Sequence, residues 1–121
     1  MELKKTMVIG ASPNPDRFSY KAVKLLLKYG HPVEAIGIKN GNIESIEIKK
    51  GFPIIPEVHT ISLYVGPERQ NEYYDYILKL KPKRIVFNPG TENLEFEKMA
   101  KDENIKVVED CTLVMLNSGR F

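Results

Sequence analysis

The sequence predicts one doubly wound α/β domain, with a five-stranded parallel sheet covered by helices on both faces. Short apolar runs rich in β-branched residues alternate with segments whose apolar residues recur at helical spacing, which is typical of βαβ units. The first strand, helix and second strand fit within the roughly 30 residues that such a unit needs. We treat residues 1–121 as a single domain, because this length buries one core and leaves no room for a separate catalytic domain.

Five apolar runs predict the strands, at residues 5–9, 33–38, 61–65, 84–87 and 106–109. Helices are predicted at residues 19–29, 67–80 and 92–103, and residues 112–116 predict a short final element. Between the second and third strands, the Asn40-Gly41 turn and two prolines favour a small hairpin over a crossover helix. The right-handed crossover rule favours the strand order 3-2-1-4-5, so ligands are expected at the carboxyl ends of the strands, beside strand one.

Composition excludes several classes of function. Lysine and arginine total 18 against 16 acidic residues, and a net charge of +2 gives no general attraction to nucleic acid or to an anionic membrane. No apolar run approaches the roughly 20 residues of a membrane span, and no signal segment precedes the first strand, so a cytoplasmic protein is expected. The single cysteine excludes an internal disulfide, and two scattered histidines do not form a zinc pattern.

The loop after the first strand has the features of a phosphate site. Gly10 ends the apolar run, and a polar loop with two prolines leads into the first predicted helix. Backbone N–H groups at a glycine turn and at a helix N-terminus bind phosphate, and Ser12 and Arg17 can add a hydroxyl donor and a bidentate charged contact. The G-x-G-x-x-G spacing of dinucleotide sites is absent, because Ser12 and Pro15 occupy the later glycine positions. A standard NAD site is therefore disfavoured.

The residue that ends the second strand separates the nucleotide classes. Enzymes that use NAD usually place an acidic residue there, which hydrogen-bonds the adenosine ribose. Lys39 stands at this position, and a cation suits a phosphate on the ribose, as in NADP or in coenzyme A with its 3′-phosphate. A second possible backbone-donor site follows strand four, at Asn88-Pro89-Gly90-Thr91, and faces the first loop.

Each of these features also has a structural interpretation. The first loop could be an ordinary connection in which Asp16 or Ser19 caps the helix, and Lys39 could be a solvent-facing lysine. Asn-Pro-Gly is common turn chemistry, and Thr91 is a plausible helix cap. The sequence alone leaves these alternatives open.

The sequence shows no pattern of catalytic or metal-binding residues. Cys111 has no histidine nearby in the sequence to activate it, although its position beyond strand five keeps a role at the site open. His31 and His59 belong to no visible triad or metal cluster. Three tyrosines at helical positions, residues 73, 74 and 76, are interpreted as packing and rim residues.

The chain also resembles a known family over essentially its whole length. The matching positions are Gly10, Ser12, Arg17, Ser19, Lys39, Gly90, Glu92, Asn93, Asp110 and Cys111. With this pattern the sequence resembles the small stand-alone CoA-binding proteins, whose Rossmann-like fold is similar to the N-terminal domain of the succinyl-CoA synthetase alpha subunit. The resemblance implies that the phosphates of CoA lie against residues 12–17 and Lys39, with the strand-four loop closing the other side.

We therefore expect a non-catalytic module that binds coenzyme A or an acyl-CoA. The expected contact residues are Gly10, Ala11, Ser12, Pro13, Asn14, Arg17, Ser19, Lys39, Val65, Asn88, Pro89 and Gly90. An NADP-binding oxidoreductase or redox-sensing domain is one alternative. A partner-interaction subunit without ligand is another, and a homodimer is compatible with each.

Overall fold

The computed structural model describes residues 2–121 and contains a seven-stranded sheet. The strands are β1 (Thr6–Ile9), β2 (Val33–Ile36), β3 (Asn42–Ile43), β4 (Ile46–Lys49), β5 (Thr60–Leu63), β6 (Arg84–Phe87) and β7 (Lys106–Glu109). Their spatial order is β3-β4-β2-β1-β5-β6-β7, and every pair is parallel except β3 with β4. The α/β class and the mostly parallel sheet are confirmed.

The predicted strand number and order, five strands as 3-2-1-4-5, are wrong. The run predicted as strand three is β5, and it pairs with β1 rather than lying beyond β2. The small hairpin predicted between them exists as β3 and β4, but β4 also joins the sheet beside β2. Counting β4 turns the parallel part into the order 3-2-1-4-5-6 that doubly wound folds commonly show. The error came from overlooking β4, whose apolar residues stand among charged ones and which has only one buried side chain, Ile48.

Helices cover both faces of the sheet. The helices are α1 (Phe18–Lys28), α2 (Tyr74–Leu80), α3 (Leu94–Asp102) and α4 (Thr112–Asn117), and a 3-10 helix (Pro67–Tyr73) leads directly into α2. Along β1 the side chains alternate, so that Met7 and Ile9 pack with α2 and α3 while Val8 packs with α1 and α4. Within residues 2–121, no helix is long and apolar enough to cross a membrane.

Candidate functional site

A cavity of about 480 Å³ lies at the carboxyl ends of β1, β2 and β5. Its size falls within the range of roughly 300–1,000 Å³ that is usual for small-molecule sites. Eight of the twelve predicted contact residues line it: Gly10, Ala11, Ser12, Asn14, Arg17, Ser19, Lys39 and Val65. Seven further lining residues were not among the predicted contacts: Phe18, Gly37, Ile38, Tyr64, Gly66, Arg69 and Tyr73.

Two glycines let the backbone close up around the floor of this cavity. Gly10 has a φ of +94°, and a Cβ there would lie 2.9 Å from the backbone carbon and oxygen of Tyr64. A Cβ at Gly37 would overlap the carbonyl oxygen of Ala11. The N–H groups of Gly10 and Ala11 both donate to the Ile36 carbonyl at 2.9 Å. The loop after β1 is therefore held between β2 and β5. In the G-x-G-x-x-G motif every glycine belongs to this one loop, whereas here the second glycine that permits close packing, Gly37, follows β2.

The loop between β1 and α1 is held by its own short-range hydrogen bonds. The Ser12 Oγ accepts from the Asn14 N–H at 3.1 Å, and the Asn14 Oδ1 accepts from the Asp16 N–H at 3.0 Å. The Arg17 N–H then donates to the Asn14 carbonyl at 3.0 Å. Successive turns thus fix the path of the chain into α1 while leaving the Ser12 hydroxyl group on the cavity wall.

The N-terminus of α1 opens into the cavity without a cap. Arg17 is the N-cap residue, and neither its side chain nor that of Asp16 or Ser19 makes a capping hydrogen bond, so the structural alternative in which Asp16 or Ser19 caps α1 is wrong. The first turn also contains no acidic residue. The leading N–H groups and the positive end of the helix dipole are therefore available to an anion.

Three cations line the cavity, and no acidic side chain among residues 2–121 does. Arg17 comes from the start of α1, Lys39 from the connection that follows β2, and Arg69 from the 3-10 helix. Among residues 2–121, none of the three forms a salt bridge. The cavity is therefore positively charged, in a chain whose net charge is only +2. Arg69 was missed because binding residues were sought only at the strand ends, whereas Arg69 lies within the 3-10 helix that follows β5.

The Asn88–Thr91 segment does not line this cavity. The Asn88 Nδ2 donates to the Leu63 carbonyl at 2.9 Å and to the Ser62 Oγ at 3.1 Å, and its Oδ1 accepts from the Thr112 N–H at 2.8 Å. These bonds tie β6 to β5 and to the start of α4. The role of Asn88, Pro89 and Gly90 toward a ligand stays a prediction.

The backbone donors expected after strand four are partly occupied within the chain. The Gly90 N–H donates to the Glu92 Oε1 at 2.9 Å. Thr91 does not cap the next helix, since its hydroxyl donates to the Asn88 carbonyl, and Asn93 caps α3 by accepting from the Phe96 N–H at 3.1 Å. Pro13, the remaining predicted contact residue outside the cavity lining, lies against Gly41.

Tyr64 and Cys111 lie near each other at the β5 side of the site. Tyr64 lines the cavity, and its buried hydroxyl lies beside the hydroxyl groups of Ser62 and Thr112. Burial, reinforced by the neighbouring Cys111, raises the pKa of this hydroxyl well above its ordinary value. Cys111 is half-buried and free, and it does not line the cavity. No group of three His, Cys, Asp or Glu side chains within residues 2–121 could hold a metal ion.

Comparison with known proteins gives one family and several solved structures. The sequence model of the family described as "CoA binding domain" matches residues 4–117. No curated protein matches the sequence significantly.

The solved structures show the same fold over almost the whole chain. A crystal structure of an uncharacterized protein is 43% identical, with a TM-score of 0.98 and complete coverage of both chains. A hypothetical protein from Pyrococcus horikoshii is 25% identical with a TM-score of 0.86, covering 96% of this chain and 83% of its own. A Thermus thermophilus protein is 22% identical with a TM-score of 0.86, covering 98% of this chain and 91% of its own.

The family match extends from β1 to the last residue of α4 and so includes every element that forms the cavity. The fold, the open helix N-terminus and the cationic cavity agree with that match. This chain belongs to the CoA-binding domain family.

Proposed function

We infer that this protein binds coenzyme A or an acyl-CoA in the cavity at the carboxyl ends of β1, β2 and β5, as a binding module without a reaction of its own. The observation that carries this proposal is the convergence of an uncapped helix N-terminus and three cations on one cavity, with neither a salt-bridge partner nor an acidic lining residue among residues 2–121. CoA combines a diphosphate with a 3′-phosphate, and this lining offers the charge that those groups need.

The diphosphate is assigned to the loop after β1 and the start of α1. Gly10 and Gly37 allow backbone atoms to approach closely there, and Ser12 and Arg17 stand at the edge of the same space. Backbone N–H donors and an arginine fork together form the usual surroundings of a bound diphosphate. Lys39, at the β2 side, is assigned to the adenosine end.

Titration calorimetry with CoA tests this proposal directly. We expect CoA to bind, Lys39→Glu to weaken binding at least tenfold because it replaces an attractive contact with a repulsive one, and Arg17→Ala to weaken it by a similar factor. Lys98→Glu on the outer face of α3 is the matched control, since Lys98 is exposed and outside the cavity lining. Absence of heat and of thermal protection at millimolar CoA would refute the proposal. Stronger protection by NADPH than by CoA would favour the oxidoreductase alternative.

A further inference from the structure

Arg69 is fixed beside the cavity by the residue that follows it. Gln70 is completely buried, and its Nε2 donates to the Val65 carbonyl at 2.9 Å and to the Thr91 carbonyl at 2.6 Å. Its Oε1 accepts from the Asn93 Nδ2 at 3.0 Å. These three bonds hold the middle of the 3-10 helix to the segment after β5 and to the segment between β6 and α3, so the position of the Arg69 backbone is set by the fold.

The acidic neighbour of Arg69 does not neutralise it. The Glu68 carboxylate is turned toward Gly66, where its Oε1 lies 2.6 Å from the position that a Gly66 Cβ would take. No salt bridge joins Glu68 or Glu72 to Arg69 within the described part of the chain. Arg69 therefore presents a full positive charge to the cavity.

The 3-10 helix that carries Arg69 begins after β5 and ends in contact with the segment that follows β4. Tyr73, its last residue, contacts Phe52 with ring centroids 5.7 Å apart. Phe52 follows β4, and β4 lies beyond β2 in the sheet. Arg69 and Lys39 thus border the same cavity from two separate segments, the 3-10 helix that follows β5 and the connection that follows β2.

We propose that Arg69 and Lys39 together bind the 3′-phosphate of coenzyme A, which makes Arg69 a specificity-determining residue that selects 3′-phosphorylated adenine nucleotides. This proposal rests on the proposed function. Two cations from separate segments suit a terminal phosphate dianion, because one lysine neutralises only part of its charge and an arginine fork adds directed donors. Arg17 and the start of α1 are left for the diphosphate, which every CoA-like ligand shares.

The test compares CoA with 3′-dephospho-CoA by titration calorimetry on the same full-length chain. We expect wild type to bind CoA at least tenfold more tightly than dephospho-CoA. Arg69→Ala should weaken CoA binding about tenfold or more and leave dephospho-CoA binding unchanged, since a lost charged hydrogen bond has about that effect. Arg69→Lys should restore part of the CoA affinity. All of these side chains are exposed, so thermal unfolding midpoints without ligand should match wild type.

Arg17→Ala is the internal control, because loss of a diphosphate contact should weaken both ligands by the same factor. The inference is overturned if Arg69→Ala weakens both ligands equally, if it weakens neither, or if wild type does not distinguish them. The last result would leave CoA binding itself intact. If wild type binds neither ligand, the proposed function falls and this inference falls with it.

Discussion

The two ends of the sheet use positive charge in opposite ways. At the carboxyl end, Arg17, Lys39 and Arg69 are exposed around a cavity, and none of them forms a salt bridge with the described part of the chain. At the amino end, Arg84 is only 7% exposed, and its guanidinium lies 4.2 Å from the centre of the Phe121 ring. The Arg84 Nε donates to the Thr60 Oγ1 at 2.8 Å.

The amino end is also where the histidines lie. His31 is 2% exposed, its ring centroid lies 5.2 Å from that of Phe121, and its Nδ1 accepts from the Lys4 N–H at 3.0 Å. Burial, together with the charges of Lys4 and Arg84, lowers the pKa of His31. The two ends of the sheet thus place basic side chains in different surroundings. At the amino end the Arg84 guanidinium is packed inside the fold against an aromatic ring, whereas the cations at the carboxyl end are exposed and available to a ligand.

Removing the aromatic cover should have the largest effect on stability. Phe121→Ala uncovers Arg84 and His31 together and leaves a cavity, so we expect the free energy of unfolding to fall by about 3 kcal/mol. Phe18→Ala is the matched truncation at the carboxyl end, where Phe18 is 66% exposed, and it should change stability by less than about 1 kcal/mol. Urea unfolding of both variants checks this. Equal losses of unfolding free energy in the two variants would contradict the difference proposed between the two ends of the sheet.

A methyl group at the cavity floor should have the next largest effect. Gly37→Ala places its Cβ on the Ala11 carbonyl, and backbone cannot yield as a side chain can, so we expect a loss of about 2 kcal/mol together with weaker CoA binding. Gly51→Ala is the control, because nothing lies within 4 Å of its Cβ. Its cost should be limited to the strain of a positive φ, about 1 kcal/mol. Thermal unfolding and calorimetry measure the two effects, and a Gly37 variant as stable and as tight-binding as wild type would contradict the close approach.

The smallest expected effect is a dependence of stability on pH from the amino end. In the unfolded chain His31 takes up a proton near its ordinary pKa of 6.5. In the folded chain the pKa of His31 is lower, so it takes up the proton only at lower pH. The unfolded state then binds more protons, so stability is complete above pH 6.5 and falls as the pH drops below it. His59, whose pKa is lowered mainly by burial and then by Arg84, acts in the same direction.

Urea midpoints at several pH values between 7.5 and 5 measure this slope. His31→Asn keeps an acceptor for the Lys4 N–H without a titrating ring, and we expect a flatter profile for this variant. His59→Asn should flatten the profile separately. If the single and double variants all keep the wild-type slope, the histidines are not its source.

The sequence predicted well where a single segment carries the signal. The continuous apolar run of β1, the glycine that ends it and the start of α1 are all local signals, and they were located correctly. Features made by two segments were missed. Gly37 becomes a cavity glycine only because β2 places it against Ala11, and Arg69 reaches the site only because buried Gln70 fixes the 3-10 helix. The strand β4 was missed for the same reason. It lacks the continuous apolar run of an ordinary parallel strand, and its place in the sheet comes from its pairing with β2, a separate segment.

The short pairing of β4 has a consequence for motion near the site. β4 is joined to β2 in register over two residue pairs, whereas each of the other parallel pairs spans four. Fewer hydrogen bonds hold this edge, so it should be the first part of the sheet to open, and its amides should exchange fastest. Lys39 lies in the connection from β2 to β3. A ligand that contacts Lys39 only when this edge is closed shifts the equilibrium toward the closed state. Slower amide exchange in β3 and β4 would therefore report ligand binding from outside the cavity.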